Sequence, residues 1–321
     1  MTQNKIILIV LLALTPLFFT AHSASQHTLL EKRLWDAGHF PFFMLLTFAF
    51  LPYVRTKIQV FGKPVFVVFQ LFFLIFILAA GIEVIQSMVG RQASLGDLRK
   101  DVLGTVIICQ AFLFSNNYIK KYRRLAGLFT LCWALFELHP LLEAALDRWN
   151  QVQSIPVLAN FETDRELFRW NYGTYERYLF ESPAYPQNSS TDRKKNKNHV
   201  LKISLNTDTF TGIAGVGLHP DWSGYSDLKF DFHNPNEYPL RLNVKIEDGY
   251  AMEIGRGYDN RYNSVYSLNP GHNTIHIALT DVAEGPENRV LDLSDIRRLS
   301  FFFSKLSAPS FVYLDNVVLT Q

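Results

Sequence analysis

Three pairs of polar side chains in the first half of the chain have the spacing that places two residues on one face of a helix. The pairs are Asp36 with His39, Glu83 with Gln86, and Asp97 with Asp101. A carboxylate held near a substrate can act as a general acid or base. The sequence shows no nucleophile paired with a base and no recognisable metal-ligand pattern. Proton transfer or the binding of a polar ligand is therefore the chemistry that these pairs allow.

The polar pairs lie at the ends of apolar stretches, which predict a membrane domain over residues 1–146. Five stretches are readable, at residues 6–20, 40–54, 64–82, 102–114 and 125–142. The third approaches the ~20 apolar residues that cross the hydrocarbon layer, whereas the second and fourth are short and need a packed bundle around them. The first also has the pattern of a signal peptide. We interpret it as an uncleaved first helix.

The basic residues predict the orientation of this domain. Lysine and arginine cluster at residues 55–63 and 120–124, and loops of this kind normally stay in the cytoplasm. Residues 83–101 and the C-terminal half are then expected outside. Ionisable side chains are costly in hydrocarbon, so a polar cluster at the membrane boundary either lines a site or orders helix ends. Glu83 fits an ordering salt bridge with Arg91 as well as it fits a substrate role.

The combined spacing resembles the VanZ-like family of membrane proteins over residues 5–146. The family pattern is D-x-x-H before its second helix, then E-x-x-Q with a nearby arginine, then D-x-x-N-x-x-G entering the next helix. The matching residues are Asp36, His39, Glu83, Gln86, Arg91, Asp97 and Gly104. Two positions depart from the pattern, since Asp101 replaces the asparagine and Ile108 stands where a further glycine is common.

This resemblance implies a bacterial inner-membrane protein of the cell envelope, because the family is associated with resistance to glycopeptide antibiotics of the teicoplanin type. It implies no particular reaction. The formal net charge of +2 gives no argument for a nucleic-acid partner. Cys109 and Cys132 both fall inside apolar stretches, so no disulfide framework is indicated.

Residues 157–321 alternate apolar and polar side chains with period two, which predicts half-buried strands. The alternation is clearest at residues 201–205, 228–232, 240–246, 275–279 and 299–303. Turn signals such as Asn234-Pro235-Asn236 separate these segments. Short strands with such turns predict an all-β jelly-roll sandwich. Residues 147–156 are predicted to be a linker between the two domains.

The second half resembles the jelly-roll carbohydrate-binding and galactose-binding-like modules. The segments that carry the resemblance are residues 160–162, 221–225, 248–249, 261–263, 269–273 and 313–317. In many such modules an acid near the first strand and another on the last strand hold a structural Ca²⁺. The resemblance places Glu162 and Asp315 at these positions, and oxygen ligands suit that ion. The alternative is that backbone donors satisfy both acids.

Sugar sites combine a flat aromatic ring with hydrogen-bonding side chains. The candidates in this half are Trp222, Asp248, Tyr258, Arg261 and Tyr262. Trp222 and Tyr262 fit an ordinary sandwich core better than a surface. Tyr258 lies in loop-like sequence and is the better exposed candidate.

Together these patterns predict an N-terminal bundle of about five membrane-spanning helices and a C-terminal periplasmic jelly-roll sandwich. The expected partners are the lipid bilayer and an envelope glycan or lipid-linked saccharide, which the protein would bind or present. The expected cofactor list contains only the candidate Ca²⁺. Two alternatives stay open: a membrane enzyme acting on a lipid-linked saccharide with Glu83 or Asp97 as general acid or base, and an envelope scaffold whose sandwich binds another protein.

Overall fold

The structure is a computed structural model that describes part of the chain. The described residues are 9, 29–61, 64–88, 94–118, 120–180, 198–254 and 257–321. Residues 31–143 belong to a helical unit, and residues 144–321 form most of a second unit that is rich in β-structure. The predicted first apolar stretch at 6–20, apart from Ile9, and the motif residue Arg91 lie outside the described residues.

Four long helices make up the described part of the first half. They are α1 (Leu29–Phe61), α2 (Pro64–Met88), α3 (Leu95–Ser115) and α4 (Arg123–Ser154). Three helical stretches have the length and apolar composition needed to cross a membrane, namely Leu29–Lys57, Pro64–Met88 and Lys120–Ser154. The described residues thus support a helical first half with three candidate spans, and the expected count of about five stays a prediction.

Gly104 lets α1 and α3 approach each other closely. A Cβ atom at this position would lie 2.5 Å from the carbonyl oxygen of Phe40 and 3.0 Å from the amide nitrogen of Met44. Small residues at helix interfaces allow this kind of backbone contact. The N-terminus of α3 is fixed by Ser94, whose hydroxyl accepts a hydrogen bond from the amide of Asp97 at 3.3 Å. The close contact at Gly104 and the N-terminal cap at Ser94 together fix the position of the polar face of α3.

The segment predicted as a linker, residues 147–156, is helical as far as Ser154. Asp147 is buried and accepts hydrogen bonds from Arg169, the shortest at 2.8 Å. Gln151 is also buried and donates to the carbonyl oxygen of Gly217. Polar residues that look like linker composition in the sequence are therefore partners of the β unit, and they keep the last turns of α4 ordered.

The described residues of the second unit contain eleven strands in two antiparallel sheets. The strands are β1 (Val157–Ala159), β2 (Trp170–Asn171), β3 (Thr174–Phe180), β4 (Asn198–Leu205), β5 (Phe210–Gly215), β6 (Asp227–Asn234), β7 (Leu240–Asp248), β8 (Tyr262–Leu268), β9 (Gly271–Ala278), β10 (Ile296–Ser304) and β11 (Ser310–Thr320). One sheet has the order β3-β4-β11-β6-β9, with β1 also paired to β11, and the other has the order β2-β5-β10-β7-β8. Short helices α5 (Gly249–Glu253) and α6 (Leu279–Ala283) follow β7 and β9.

Apolar residues from both sheets form one core, as the period-two pattern predicts. Its centre is aromatic: Phe301 lies 4.8 Å from Phe230 and 6.0 Å from Trp170, measured between ring centroids. All five strands predicted from alternation are confirmed, as is the all-β sandwich. Because Leu299, Phe301 and Phe303 are fully buried, the residues between them must face away from the core.

Candidate functional site

The outer face of the five-stranded sheet carries two adjoining hollows, which we call the sheet groove. Their volumes are about 570 Å³ and 690 Å³, and they share Phe210, Lys245 and Phe302 as lining residues. The strand register pairs Phe302 with Gly212 on one side and with Asn243 on the other. Because Gly212 has no side chain, the surface of the sheet is recessed beside the Phe302 ring and forms the floor of the groove. A concave surface with a few polar groups is the usual form of a ligand site.

Three exposed aromatic rings line the sheet groove. Tyr172, Phe210 and Tyr258 are 62%, 66% and 72% exposed. Tyr172 and Gly173 have φ values of 63° and 73° in the short connection between β2 and β3, which is the left-handed region of backbone conformation. A non-glycine residue pays roughly 1–2 kcal/mol for this conformation. The connection therefore presents a large apolar ring to solvent despite a backbone cost.

A buried carboxylate beneath the groove gathers three cations, and we call this group the Glu247 cluster. The Glu247 side chain is fully buried. Its oxygens lie 3.1 Å from Nζ of Lys245, 3.6 Å from Nη1 of Arg261 and 3.7 Å from Nη1 of Arg298. Burial lowers the pKa of Lys245, and the nearby Glu247 opposes that shift. Opposite charges on neighbouring strands stabilise the sheet, but three cations share this one carboxylate.

Each of the two arginines of the Glu247 cluster also contacts one of the exposed aromatic rings. The guanidinium carbon of Arg298 lies 5.5 Å from the centroid of the Tyr172 ring, and that of Arg261 lies 5.5 Å from the centroid of the Tyr258 ring. Both distances are in the range of cation–π contacts. The Glu247 cluster thus connects the polar floor of the groove to two of its aromatic walls.

Of the five predicted sugar contacts, only Tyr258 and Arg261 line the groove. Trp222 is fully buried, and its indole N–H donates to the carbonyl oxygen of His219 at 2.8 Å. Tyr262 is buried as well, with its hydroxyl 2.8 Å from that of Tyr266. Their burial removes both residues from the candidate sugar site, because their rings complete the core of the sandwich.

Asp248 is also a structural residue. Its carboxylate is fully buried, caps α5 by accepting from the amide of Ala251 at 2.9 Å, and accepts from the amide of Asp292 at 2.9 Å and from Nη2 of Arg289 at 2.8 Å. Burial opposes ionisation of Asp248, but these hydrogen bonds outweigh it and lower its pKa. With its oxygens already engaged, Asp248 has no role as a sugar contact here.

Sequence reasoning missed most of the groove. The missed residues are Tyr172, Phe210, Lys245, Glu247, Arg298 and Phe302. The alternation did contain a signal, because Arg298 and Phe302 flank core positions of a predicted strand and so must point outward. The missing information was which strands share a sheet, and that depends on pairings between distant segments.

The two predicted Ca²⁺ ligands have different surroundings. Asp315 is buried and accepts from Nδ2 of Asn198 at 3.0 Å and from the amide of Asn316 at 2.8 Å. Glu162 is partly exposed and accepts from Nδ1 of His199 at 3.2 Å. Burial, with smaller contributions from the neighbouring Asp231 and Glu162, raises the pKa of Asp315 to about 7. A buried acid beside other acids fits a cation site, and the Ca²⁺ itself stays a prediction.

We expect the stability of the sandwich to fall between pH 4 and pH 7 when divalent cations are chelated. The unfolded chain ionises Asp315 near its ordinary pKa of 3.8, whereas the folded protein keeps the proton up to about pH 7. Because the folded state binds more protons over this interval, rising pH favours unfolding. Melting temperatures of wild type and Asp315→Asn across this range check the effect. If the melting temperature changes with pH equally in the two proteins, the expectation is contradicted. Above pH 7, Ca²⁺ should raise the melting temperature of the wild type only.

In the helical unit, four of the predicted polar residues come together, and we call them the helix-end cluster. Nδ1 of His39 donates to Oδ1 of Asp101 at 2.9 Å, and Nε2 of His39 lies 3.9 Å from Oδ2 of Asp97. One ligand atom each from His39, Glu83 and Asp97 lies within 4.8 Å of the other two. All four side chains are buried. The long sequence separations hid this grouping, and its use as a site stays a prediction.

The helix-end cluster also provides a donor set for a divalent cation, which the sequence pattern did not reveal. An imidazole nitrogen and two carboxylates suit several transition metals. Oε1 of Glu83 and Oδ2 of Asp101 are buried and have no hydrogen-bond partner among the described residues. Oε2 of Glu83 accepts from the amide of Ser94 at 2.7 Å, and Lys100 lies 3.0 Å from Asp97. The two oxygens without partners could therefore be satisfied equally well by a bound cation or by protonation of the carboxyl groups.

The remaining motif residues are less central. Gln86 is buried one turn after Glu83 on α2. Asp36 lies on α1 and forms an ion pair with Arg33 at 3.7 Å. Arg91 is outside the part of the chain that the structure describes. The structure thus joins His39 to the acids of α2 and α3 without testing the predicted salt bridge of Glu83.

No protein-family model and no curated protein matches the chain. Solved structures match about half of it, on the β-rich side. A family 11 carbohydrate-binding module from Clostridium thermocellum, in complex with a β-1,3-1,4-mixed-linked tetrasaccharide, shares 16% identity over 51% of this chain and 94% of its own, with a TM-score of 0.35. A non-crystalline cellulose specific module of family 28 shares 13% identity over 52% of this chain and 93% of its own, with a TM-score of 0.34. An exo-β-agarase shares 15% identity over 51% of this chain but only 25% of its own length, with a TM-score of 0.38. Similarity at this level assigns no ligand to this chain.

Proposed function

We propose that the β-sandwich binds a saccharide in the sheet groove. The observation that carries this proposal is the arrangement of exposed rings over a low, polar floor: Tyr172 and Tyr258 stack against Arg298 and Arg261, which hold them in place. Flat rings pack against the apolar faces of sugars, while neighbouring asparagines, serines and cations bond hydroxyl groups. The sequence-based expectation of an envelope glycan or lipid-linked saccharide is consistent with this chemistry.

We expect Tyr172→Ala and Tyr258→Ala each to weaken saccharide binding by about tenfold or more, which corresponds to about 1.4 kcal/mol. Each substitution removes an exposed stacking surface and leaves the core untouched. Binding of the purified full chain, in detergent micelles, to an array of envelope and plant polysaccharides measures the effect. Tyr238→Ala is the matched control, because Tyr238 is also exposed but does not line the groove. Unchanged binding by both groove variants would refute the proposal.

We further propose that the helical half anchors the sandwich in a bacterial inner membrane, with the sandwich in the periplasm. Support comes from the three candidate spans and from large apolar residues exposed on α2, among them Phe69, Phe73 and Ile77. Such residues are unfavourable in water and suit a lipid surface. As part of this proposal, we also infer that the helical half is a member of the VanZ-like family, which is associated with glycopeptide resistance. Protease added to intact spheroplasts should cleave the C-terminal half, and complete protection would contradict the orientation.

A second candidate function is acid–base chemistry on a lipid-linked saccharide at the helix-end cluster. The observation that favours it is the convergence of His39 with buried carboxylates from two other helices. Glu83→Gln and Asp97→Asn keep the side-chain size and remove the charge. Teicoplanin susceptibility of cells that carry these variants is the readout. Susceptibility equal to that of wild-type cells would show that the cluster is structural.

A further inference from the structure

The charges of the sheet groove are unequal. Lys245, Arg261 and Arg298 contribute three positive charges around the single carboxylate of Glu247, which leaves the Glu247 cluster with a net charge of +2. Among the described lining residues, Asp208 is the one acid, and it is exposed and accepts from Nδ2 of Asn206. The groove floor is therefore cationic.

We propose that the sheet groove selects an acidic saccharide, whose sugar rings carry carboxylate or sulfate groups. This inference rests on the proposed saccharide-binding function and narrows it. Lysine and arginine side chains can only donate hydrogen bonds, whereas carboxylate and sulfate oxygens only accept them. A neutral sugar hydroxyl can also accept, but a charged acceptor forms bonds that are shorter and roughly twice as strong.

The position of the cations strengthens this preference. The side chains of Lys245, Arg261 and Arg298 are only 15%, 19% and 5% exposed. Charges that are partly withdrawn from water interact more strongly with an incoming anion than charges on an open surface. Glu247 is fully buried and already surrounded by cations, so it offers no acceptor to a ligand.

Matched polymers that differ only in charge test the proposal on the full chain in detergent micelles. Polygalacturonate is compared with its methyl ester, and dextran sulfate with dextran, by biolayer interferometry at low and high salt. We expect each charged polymer, or one of the two, to bind at least tenfold more tightly than its neutral partner. This difference should shrink in high salt, because screening weakens the ionic contacts. Preference for only one charged polymer identifies the anionic group as carboxylate or sulfate.

Variants connect the preference to the Glu247 cluster. Arg261→Gln should weaken binding of the charged polymer at least tenfold more than binding of its neutral partner, because loss of the cation affects only the charged polymer, whereas release of the Tyr258 ring affects both. Glu247→Gln should strengthen binding of the charged polymer, because it removes the one negative charge. Arg241→Gln is the matched control, since Arg241 is exposed on β7, the strand of Lys245 and Glu247, but does not line the groove. Arg261 is partly exposed, so its variant stays informative even if Glu247→Gln fails to fold.

The outcomes separate this inference from the function on which it rests. If charged and neutral polymers bind equally, or the neutral ones bind better, the acidic preference is overturned and saccharide binding stands. If binding of the charged polymer is unaffected by Arg261→Gln, the cluster is not its cause and the inference fails. If no polymer of either kind binds, and Tyr258→Ala changes nothing on the wider array, both the inference and the proposed function fail.

Discussion

Replacing Asp248 with alanine should lower the free energy of unfolding of the sandwich by about 3–5 kcal/mol, the range for breaking a buried ion pair by removing one partner. The Asp248 carboxylate accepts hydrogen bonds from Arg289, from the amide of Asp292 and from the amide of Ala251 at the start of α5. Its loss leaves a partly buried guanidinium without its carboxylate and removes a helix cap, which alone contributes about 1 kcal/mol.

Urea unfolding of the full chain measures this effect through the fluorescence of Trp170 and Trp222, which are both buried in the sandwich core. The other three tryptophans, at positions 35, 133 and 149, are first replaced by phenylalanine. Glu237→Ala, at an exposed loop position, is the control and should change stability by less than about 0.5 kcal/mol. A loss below 1 kcal/mol for Asp248→Ala would show that the buried contacts of Asp248 contribute little.

Replacing Gly104 with alanine should destabilise the helical unit by about 1–3 kcal/mol, the usual cost of forcing extra atoms into a packed site. The added Cβ would lie 2.5 Å from the carbonyl oxygen of Phe40, and this oxygen belongs to the backbone of α1 and cannot rotate away. The helices must separate, and His39 on α1 then moves relative to Asp101 on α3. Both the stability of the unit and the geometry of the helix-end cluster should suffer.

The two cysteines provide a readout confined to this unit. In a Cys132→Ser background the buried Cys109 is the single thiol of the chain, so a thiol-reactive dye reports the temperature at which the helices open. Gly81→Ala and Gly127→Ala are matched controls, because a Cβ at either position meets nothing within 4 Å and alanine favours a helix over glycine. If all three variants melt alike, close approach at Gly104 is not important for stability.

Much of the β half could be predicted from local pattern. The strands around Phe230, Val244 and Phe301 alternate cleanly because one side of each faces a shared core. The short strands β1 and β2 and the edge strand β3 carry too few alternating positions to be recognised. The helical conformation of the predicted linker could not be foreseen for a different reason: the sequence around Asp147 is polar, and only the distant Arg169 makes that polarity compatible with an ordered helix.

The candidate sites show the limit of residue type as evidence. Trp222 and Asp248 have the chemistry of sugar contacts, yet both are buried, and burial depends on the packing of distant strands. Tyr258 was identified because loop-like sequence predicts exposure. In the helical half, spacing predicted which residues share a helix face, whereas the contact between His39 and Asp101 needed three-dimensional packing.

The stacking of Arg298 on Tyr172 and of Arg261 on Tyr258 has a consequence for how the groove could change its ligand during evolution. Shape and charge are not independent variables here, because each guanidinium sets the local potential and also orders a ring. Even an arginine-to-lysine exchange, which conserves charge, replaces a flat group by a compact one and releases the tyrosine. A descendant with a different charge preference would therefore have to replace cation and ring together, and single substitutions would mostly weaken the groove without redirecting it.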